Sequence, residues 1–219
     1  MAKNAALRSV RGRPGEYYNE ITGETLKITE LREGDIYDSI LLPAGLIAAG
    51  TQFTFFQNLV NKTILDTNMP TPQRLAAGTE MLVTRFGIMP QSVVGNTFVT
   101  PSTTKQVLEC TLFELQINRK TVAQGPSIMF PPGYGIYGNS VETNQGIVSN
   151  GMPSSAATQN LKRPELLNDK YDVIAYLTFP ARTWITAALG FAGVVQPTLA
   201  QAAVVKCILH GLIKDAATR

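Results

Sequence analysis

The chain has 219 residues, of which 44% are hydrophobic and only 16% charged, with a formal net charge of +3. That length fits one domain or two very small ones, and the net charge is too small to imply a protein that grips nucleic acid with its whole surface. Ordinary soluble domains carry about 25% charged residues, so the deficit is a reason to expect surface buried against other molecules, copies of the same chain foremost.

Residues 1–46 read as an extended N-terminal arm with a short strand near "DIYDSILL". Gly12, Pro14 and Gly15 interrupt any regular element there. Lys3, Arg8, Arg11 and Arg13 all precede the first acid, Glu16. Such a cluster reads either as a solvated tail or as a basic arm that touches nucleic acid, an anionic lipid surface or a neighbouring subunit. The start "MAKNAALRSVRGRPG" has no apolar run of the secretory type, and synthesis and assembly in a cytoplasm is the expectation.

Residues 47–219 read as a β-sandwich. Eighteen Gly and 13 Pro punctuate the chain at short intervals, with Thr, Val, Ile and Phe between them. "TQFTFFQN" (51–58) is a candidate strand. The following "KTILDTNMPTPQRLAAGTEM" holds Asp66, Thr67 and Asn68, a candidate structural turn. Their short side chains suit hydrogen bonds to nearby backbone, and Pro70 and Pro72 stiffen the exit. "TEMLVTRFGIM" (79–89) puts Leu82, Phe86 and Ile88 on one face, with Met81 and Val83 on the other. "QVLECTLFELQIN" (106–118) reads as one strand whose parity slips near Leu112–Phe113, the mark of a bulge or of cover on both faces. Asn118, Arg119 and Lys120 form a polar turn, and "SIMF" a brief strand.

Residues 138–160 are polar and rich in Gly and Ser, and read as a long exposed loop. "RPELLND" (163–169) reads as a helical turn or two. "YDVIAYLTF" (171–179) alternates, with Val173, Ala175, Leu177 and Phe179 on one face. The span "TWITAALGFAGVVQPTLAQAAVV" (183–205) carries no charge. Gln196, Pro197 and Gln201 interrupt it, so two buried strands joined at "QPT" account for it better than a membrane helix. "AVVKCILHGLIKD" closes with Val205, Cys207, Leu209, Gly211 and Ile213 on one face and Lys206, His210 and Lys214 on the other. Counted from Thr51, about eight strand-like runs appear, the number a jelly roll needs.

Chemistry finds few footholds. The single histidine, His210, cannot build a multi-imidazole metal site. It is also flanked by lysines that disfavour its protonation, so a catalytic role is not expected. No phosphate loop or dinucleotide fingerprint is present; "PPGYGIYG" has glycines but no helix behind it. The close acid pairs Asp35/Asp38, Glu109/Glu114 and Asp169/Asp172 lack spacing specific to glycoside hydrolysis and read as surface solvation. Cys110 and Cys207 lie in apolar runs and read as buried thiols. Trp184, the single tryptophan, is either core or a sugar-stacking platform. No catalytic residues, metal or cofactor are therefore assigned.

An aromatic strand followed by "KTILDTNMP" and "LAAGTEMLVTRFGI", with "LFELQINRKTVAQGPSIMFPPGYG" and "VVKCILHGLIKD" later, resembles the jelly-roll major capsid proteins of tailless, often membrane-containing bacterial viruses. The resemblance covers about residues 51–130 and 171–215. It implies an all-β jelly-roll sandwich, single by preference and compact double as the alternative, with an extended N-terminal arm. It further implies a structural coat protein that self-assembles into capsomers and an icosahedral shell in the virion. Its partners would be other copies of itself, minor capsid proteins, and an internal membrane or genome touched peripherally, with no small-molecule substrate. The alternative function is a carbohydrate-binding β-sandwich module on a surface or receptor-binding protein.

Overall fold

A computed structural model describes residues 7–9, 16–19, 23, 25–27, 31–91, 93–94, 97–133, 158–180, 182–183, 194–195 and 198–214. Eight strands among them make two four-stranded antiparallel sheets packed face to face. In chain order these are β1 (Arg32–Leu42), β2 (Gln52–Phe55), β3 (Glu80–Pro90), β4 (Leu112–Ile117), β5 (Lys120–Pro126), β6 (Gln159–Leu167), β7 (Val173–Thr178) and β8 (Ala203–Lys214). One sheet has the order β6-β3-β8-β1 and the other β5-β4-β7-β2. The pairing is nested. β1 pairs with β8, β2 with β7, β3 with β6, and β4 with β5, all antiparallel.

Alternation drives this arrangement. Val173, Ala175 and Leu177 of β7 are fully buried, as are Val205, Cys207 and Leu209 of β8. Phe86 of β3 stacks on Phe113 of β4 across the sandwich, with centroids 5.9 Å apart. Phe130 lies 5.2 Å from Phe86 and 5.5 Å from Phe113. This aromatic trio joins the two sheets with large rings at favourable offset and tilted geometries.

Several expectations need correction. β1 belongs to the sandwich, although its sequence reads as part of the arm 1–46. It pairs with β8 from Arg32–Ile213 through Leu42–Ala203. The short strand expected at "DIYDSILL" is part of it, but its acids Glu33, Asp35 and Asp38 disguise its place in the core, because Asp38 points inward and is completely buried. Farther toward the N-terminus, Leu7–Ser9, Glu16–Asn19 and Thr25–Lys27 form a three-stranded antiparallel sheet of their own.

Residues 106–110 do not extend β4; Pro101–Cys110 is a helix, α1. The Thr100 hydroxyl accepts from the Thr103 N–H, and Pro101 occupies the first turn. Thr103, Thr104, Val107 and Leu108 bury one helical face. The apparent slip of parity at Leu112–Phe113 is thus the change from a 3.6 to a 2.0 period. "SIMF" holds a short 3-10 turn at Ser127–Met129. "RPELLND" is not helical, because β6 runs through it, and residues 158–160 are likewise sheet-bound and not loop. Pro164 is tolerated on this edge strand. The loop at 138–157, the junction "QPT" at Gln196–Pro197 and Trp184 lie outside the described residues. The short strands on either side of that junction pair elsewhere: Val194–Val195 with Arg182–Thr183, and Thr198–Leu199 with Gly45–Leu46.

The turn at Asn118–Arg119 is a two-residue hairpin with φ of 52° and 60°, the left-handed geometry that matches strand twist. The true slip of parity sits in β3. Met81 and Val83 face the core before it, Phe86 and Ile88 after it. The extra residue is Thr84: His210 pairs with Arg85 and Gly211 with Val83. The bulge draws β3 so close to Gly211 that a Cβ there would lie 2.0 Å from the Leu82 carbonyl oxygen. Gly211→Ala is therefore expected to cost about 2 kcal/mol or more. The check is a fall in the denaturant midpoint with an unchanged m-value.

Candidate functional site

The open edge of β1 is where the chain concentrates its polar contacts. An edge strand presents unpaired N–H and C=O groups that invite wrong pairing unless covered. Here the predicted turn at Asp66, Thr67 and Asn68 supplies the cover. The Tyr37 N–H donates to Asn68 Oδ1 at 2.8 Å, and Asn68 Nδ2 donates to the Asp35 carbonyl at 2.7 Å. The Asn68 N–H and the Thr67 hydroxyl both donate to the Tyr37 carbonyl, at 3.2 and 3.1 Å. One side-chain amide thus acts as a short strand beside β1. The Ser39 hydroxyl donates to the Asp66 carbonyl at 2.8 Å, and the Tyr37 hydroxyl to the Ile64 carbonyl.

Asp66 closes its own loop. Its carboxylate accepts from the N–H and the hydroxyl of Thr63, each at 2.9 Å. The backbone N–H of Thr63 holds the Asp66 carboxyl below its ordinary value of 3.8, helped by the Thr63 hydroxyl and by Lys206 and Lys62. The native pKa is depressed, so this contribution to folding is present above pH 3.8 and is lost as pH falls through the native value. Lys206 lies over the Tyr37 ring, 4.5 Å from its centroid, and donates to the Leu65 carbonyl at 2.8 Å. Burial lowers its pKa, and Asp66 partly offsets that.

The same loop reaches into the sandwich. Asp38, read from sequence as surface solvation, is wholly buried where the edges of the two sheets meet. Lys62 Nζ donates to both its oxygens, at 2.7 and 2.8 Å, and the Phe56 N–H donates at 2.6 Å. Phe56 itself is fully buried with φ of 64°, a backbone state costly for a bulky residue unless its surroundings hold it. Cys207 lies opposite Asp38 across the ladder. Burial, then the nearby carboxylate, pushes its thiol well above the ordinary range, so it is an inert packing group.

The loop is pinned from both sides yet carries three strongly exposed aliphatic residues, Val60, Ile64 and Leu65. Leu41, on the outer face of β1 two residues beyond Ser39, is exposed as well. These four side chains, on β1 and on the loop pinned to its edge, are each at least 60% exposed and are the apolar crest of this edge.

A second arrangement crosses the outer face of the β1 sheet. Asp35, His210, Arg85 and Asn160 fall in one cross-strand row over all four strands. His210 is nearly buried, and its Nδ1 lies 2.7 Å from Asp35 Oδ1. The sequence missed this carboxylate partner, because nothing local links positions 35 and 210. The bulged Thr84 hydroxyl donates to the His210 carbonyl at 3.3 Å and is not directed at the ring. A third feature is a cleft of about 490 Å³ between β5 and β6, floored by Phe86 and Phe130 and rimmed by Lys120, Lys162 and Arg163. Among the described residues, no three or more His, Cys, Asp or Glu side chains gather closely enough to hold a metal, and no helix is long and apolar enough to cross a membrane.

Of the basic arm residues, Arg8 falls in the strand Leu7–Ser9, while Lys3, Arg11 and Arg13 lie outside the described residues. No protein-family model matches the chain, and no curated protein matches its sequence.

Two outcomes are expected at the β1 edge. Lys62→Met strands a buried carboxylate and should cost about 3–5 kcal/mol. The double variant Lys62→Met with Asp38→Asn should recover part of that loss in thermal or chemical unfolding. Asn68→Ala leaves the Tyr37 N–H and the Asp35 carbonyl without their partner and should cost about 1–3 kcal/mol. Faster amide exchange at Tyr37 would accompany it.

Proposed function

We propose that the chain is a non-enzymatic structural coat protein: a single jelly roll, with an N-terminal arm, that assembles with its own copies into capsomers and a virion shell. The nested strand order carries this reading. Eight strands paired first with last, second with seventh, third with sixth and fourth with fifth are what a long hairpin gives when rolled into two facing sheets, which is the jelly-roll pattern. One such roll uses all eight sandwich strands, which favours the single form over the double.

The placement of polar and apolar groups supports assembly over catalysis. The D-T-N turn serves the backbone of an edge strand and displays an apolar crest. The connections after β1, β3, β5 and β7 leave from one end of the sandwich and include the longest ones. Long connections suit contacts among neighbours and with minor shell proteins. The basic cluster of Lys3, Arg8, Arg11 and Arg13 suits peripheral contact with genome, anionic lipid or an adjacent subunit. Low overall charge fits a surface largely buried in a lattice.

The test is sedimentation velocity with electron microscopy of the purified chain over a wide range of concentration and ionic strength. Discrete rings or particle-sized species are expected. A chain that stays monomeric under every condition overturns the reading.

A further inference from the structure

The two lateral margins of the sandwich are closed in different ways. At one, Asp38, Lys62 and the Phe56 N–H join β1 to the chain leaving β2. At the other, β5 faces β6 across a cleft of about 490 Å³. Register explains the opening. Paired residues of neighbouring strands point to the same face, and Phe113, Leu115 and Ile117 of β4 are core residues. Their partners on β5 are Gly125, Ala123 and Lys120. On the opposite sheet, Phe86 and Val83 of β3 are core residues, and their partners on β6 are Gln159 and Glu165. These five core-facing positions carry small or polar residues where a packed margin would carry bulky apolar ones.

The cleft has a bridged end, an apolar floor and a cationic rim. Lys120 Nζ donates to Glu165 Oε1 at 3.1 Å and ties the two strands together at one end. Toward the other end the rings of Phe86 and Phe130 make the floor. Gly125 makes room for Phe130: a Cβ there would lie 3.3 Å from that ring and 3.9 Å from the Met129 sulfur. Met129 lines the cleft yet is well exposed, an adaptable thioether at its mouth. Lys162 and Arg163 line the rim from the segment of β6 that stands away from β3. Both are exposed, and neither is ion-paired among the described residues. Glu165 is the one carboxylate in the described lining and is already engaged by Lys120.

We propose that this cleft binds an amphipathic monocarboxylate of the fatty-acid type, with its chain on Phe86 and Phe130 and its carboxylate at Lys162 and Arg163. The volume falls within the range of about 300–1,000 Å³ usual for small-molecule sites, which combine an apolar lining with a few placed polar groups. The aromatic floor selects an apolar body. The excess of positive charge selects an anionic head, and the planar guanidinium of Arg163 suits a carboxylate through two parallel hydrogen bonds. A cationic or neutral amphiphile of the same length gains the floor and not the rim. The site lies within one copy of the chain and does not depend on the coat-protein reading.

The test is isothermal titration calorimetry on the full chain with decanoate below its micelle concentration, with decanol and with inorganic phosphate. Decanoate is expected to bind saturably at one site per chain, decanol at least ~10-fold more weakly, and phosphate not at all. Ala123→Phe fills the cleft from β5 and should abolish decanoate binding. Lys162→Glu with Arg163→Glu, both on exposed side chains, should keep the thermal midpoint within a few degrees and weaken decanoate ~10-fold or more. That pair carries the test should Ala123→Phe fail to fold. Absence of saturable decanoate binding by the wild type overturns the proposal. So does equal binding of decanol, or an affinity unchanged in the glutamate pair or in a folded Ala123→Phe variant. Phosphatidylglycerol vesicles that bind the wild type, are lost in the glutamate pair and are not displaced by decanoate assign the cations to a membrane surface and also overturn it. Sedimentation reads assembly separately: a chain that binds decanoate and stays monomeric sinks the coat reading and leaves the cleft standing.

Discussion

The carboxylate of Asp38 holds the seam where the two sheets meet. It sits with no exposure between the edge strands β1 and β2, takes the Phe56 N–H, and is neutralised by Lys62. A buried carboxylate is tolerable only when it is paired and hydrogen-bonded. That requirement dictates the path of the chain after β2. It turns through the left-handed Phe56, returns Lys62 to the seam, and then lays the D-T-N turn along the outside of β1. The edge cover and the outward crest both follow from where that one charge is placed.

The sheet beside it is organised around the bulge in β3. Thr84 is extra with respect to β8, and residues 161–164 of β6 stand away from the ladder at the same level. One inserted residue thus returns both halves of β3 to the core with opposite parity. It also brings Gly211 against the Leu82 backbone and opens space between β5 and β6. The row from Asp35 to Asn160 crosses the sheet at this level, so its polar groups gather where the regular pleat is broken.

Strands buried on one side and alternating cleanly were legible from sequence: β2, β7, β8 and the polar hairpin turn all lie where the pattern places them. Each failure has its own physical cause. β1 was expected as a short strand, but its place in the sandwich was hidden, because an inward carboxylate breaks the apolar alternation and its charge is compensated only from position 62. Helix α1 was hidden because Leu108, Cys110 and Leu112 happen to alternate, although Thr100 and Pro101 form an ordinary start signal. β6 was hidden by Pro164 and by two cations in its displaced segment. The D-T-N turn was recognisable as architecture. Its partners, the backbone groups of residues 35 and 37, are some thirty positions away, and no local rule points to them.

The nested ladder also sets a timetable for synthesis. Arg32 pairs with Ile213 and Leu42 with Ala203, so the first strand of the sandwich to be made waits for the last of the eight. Contacts of such sequence separation close slowly, and until they close β1 has only the D-T-N turn beside it. A chain that has not yet made β8 therefore exposes the β8 flank of β1. The side-chain amide of Asn68, translated soon after β1, occupies part of the other flank early, so that the edge meant for β8 is the one that stays open.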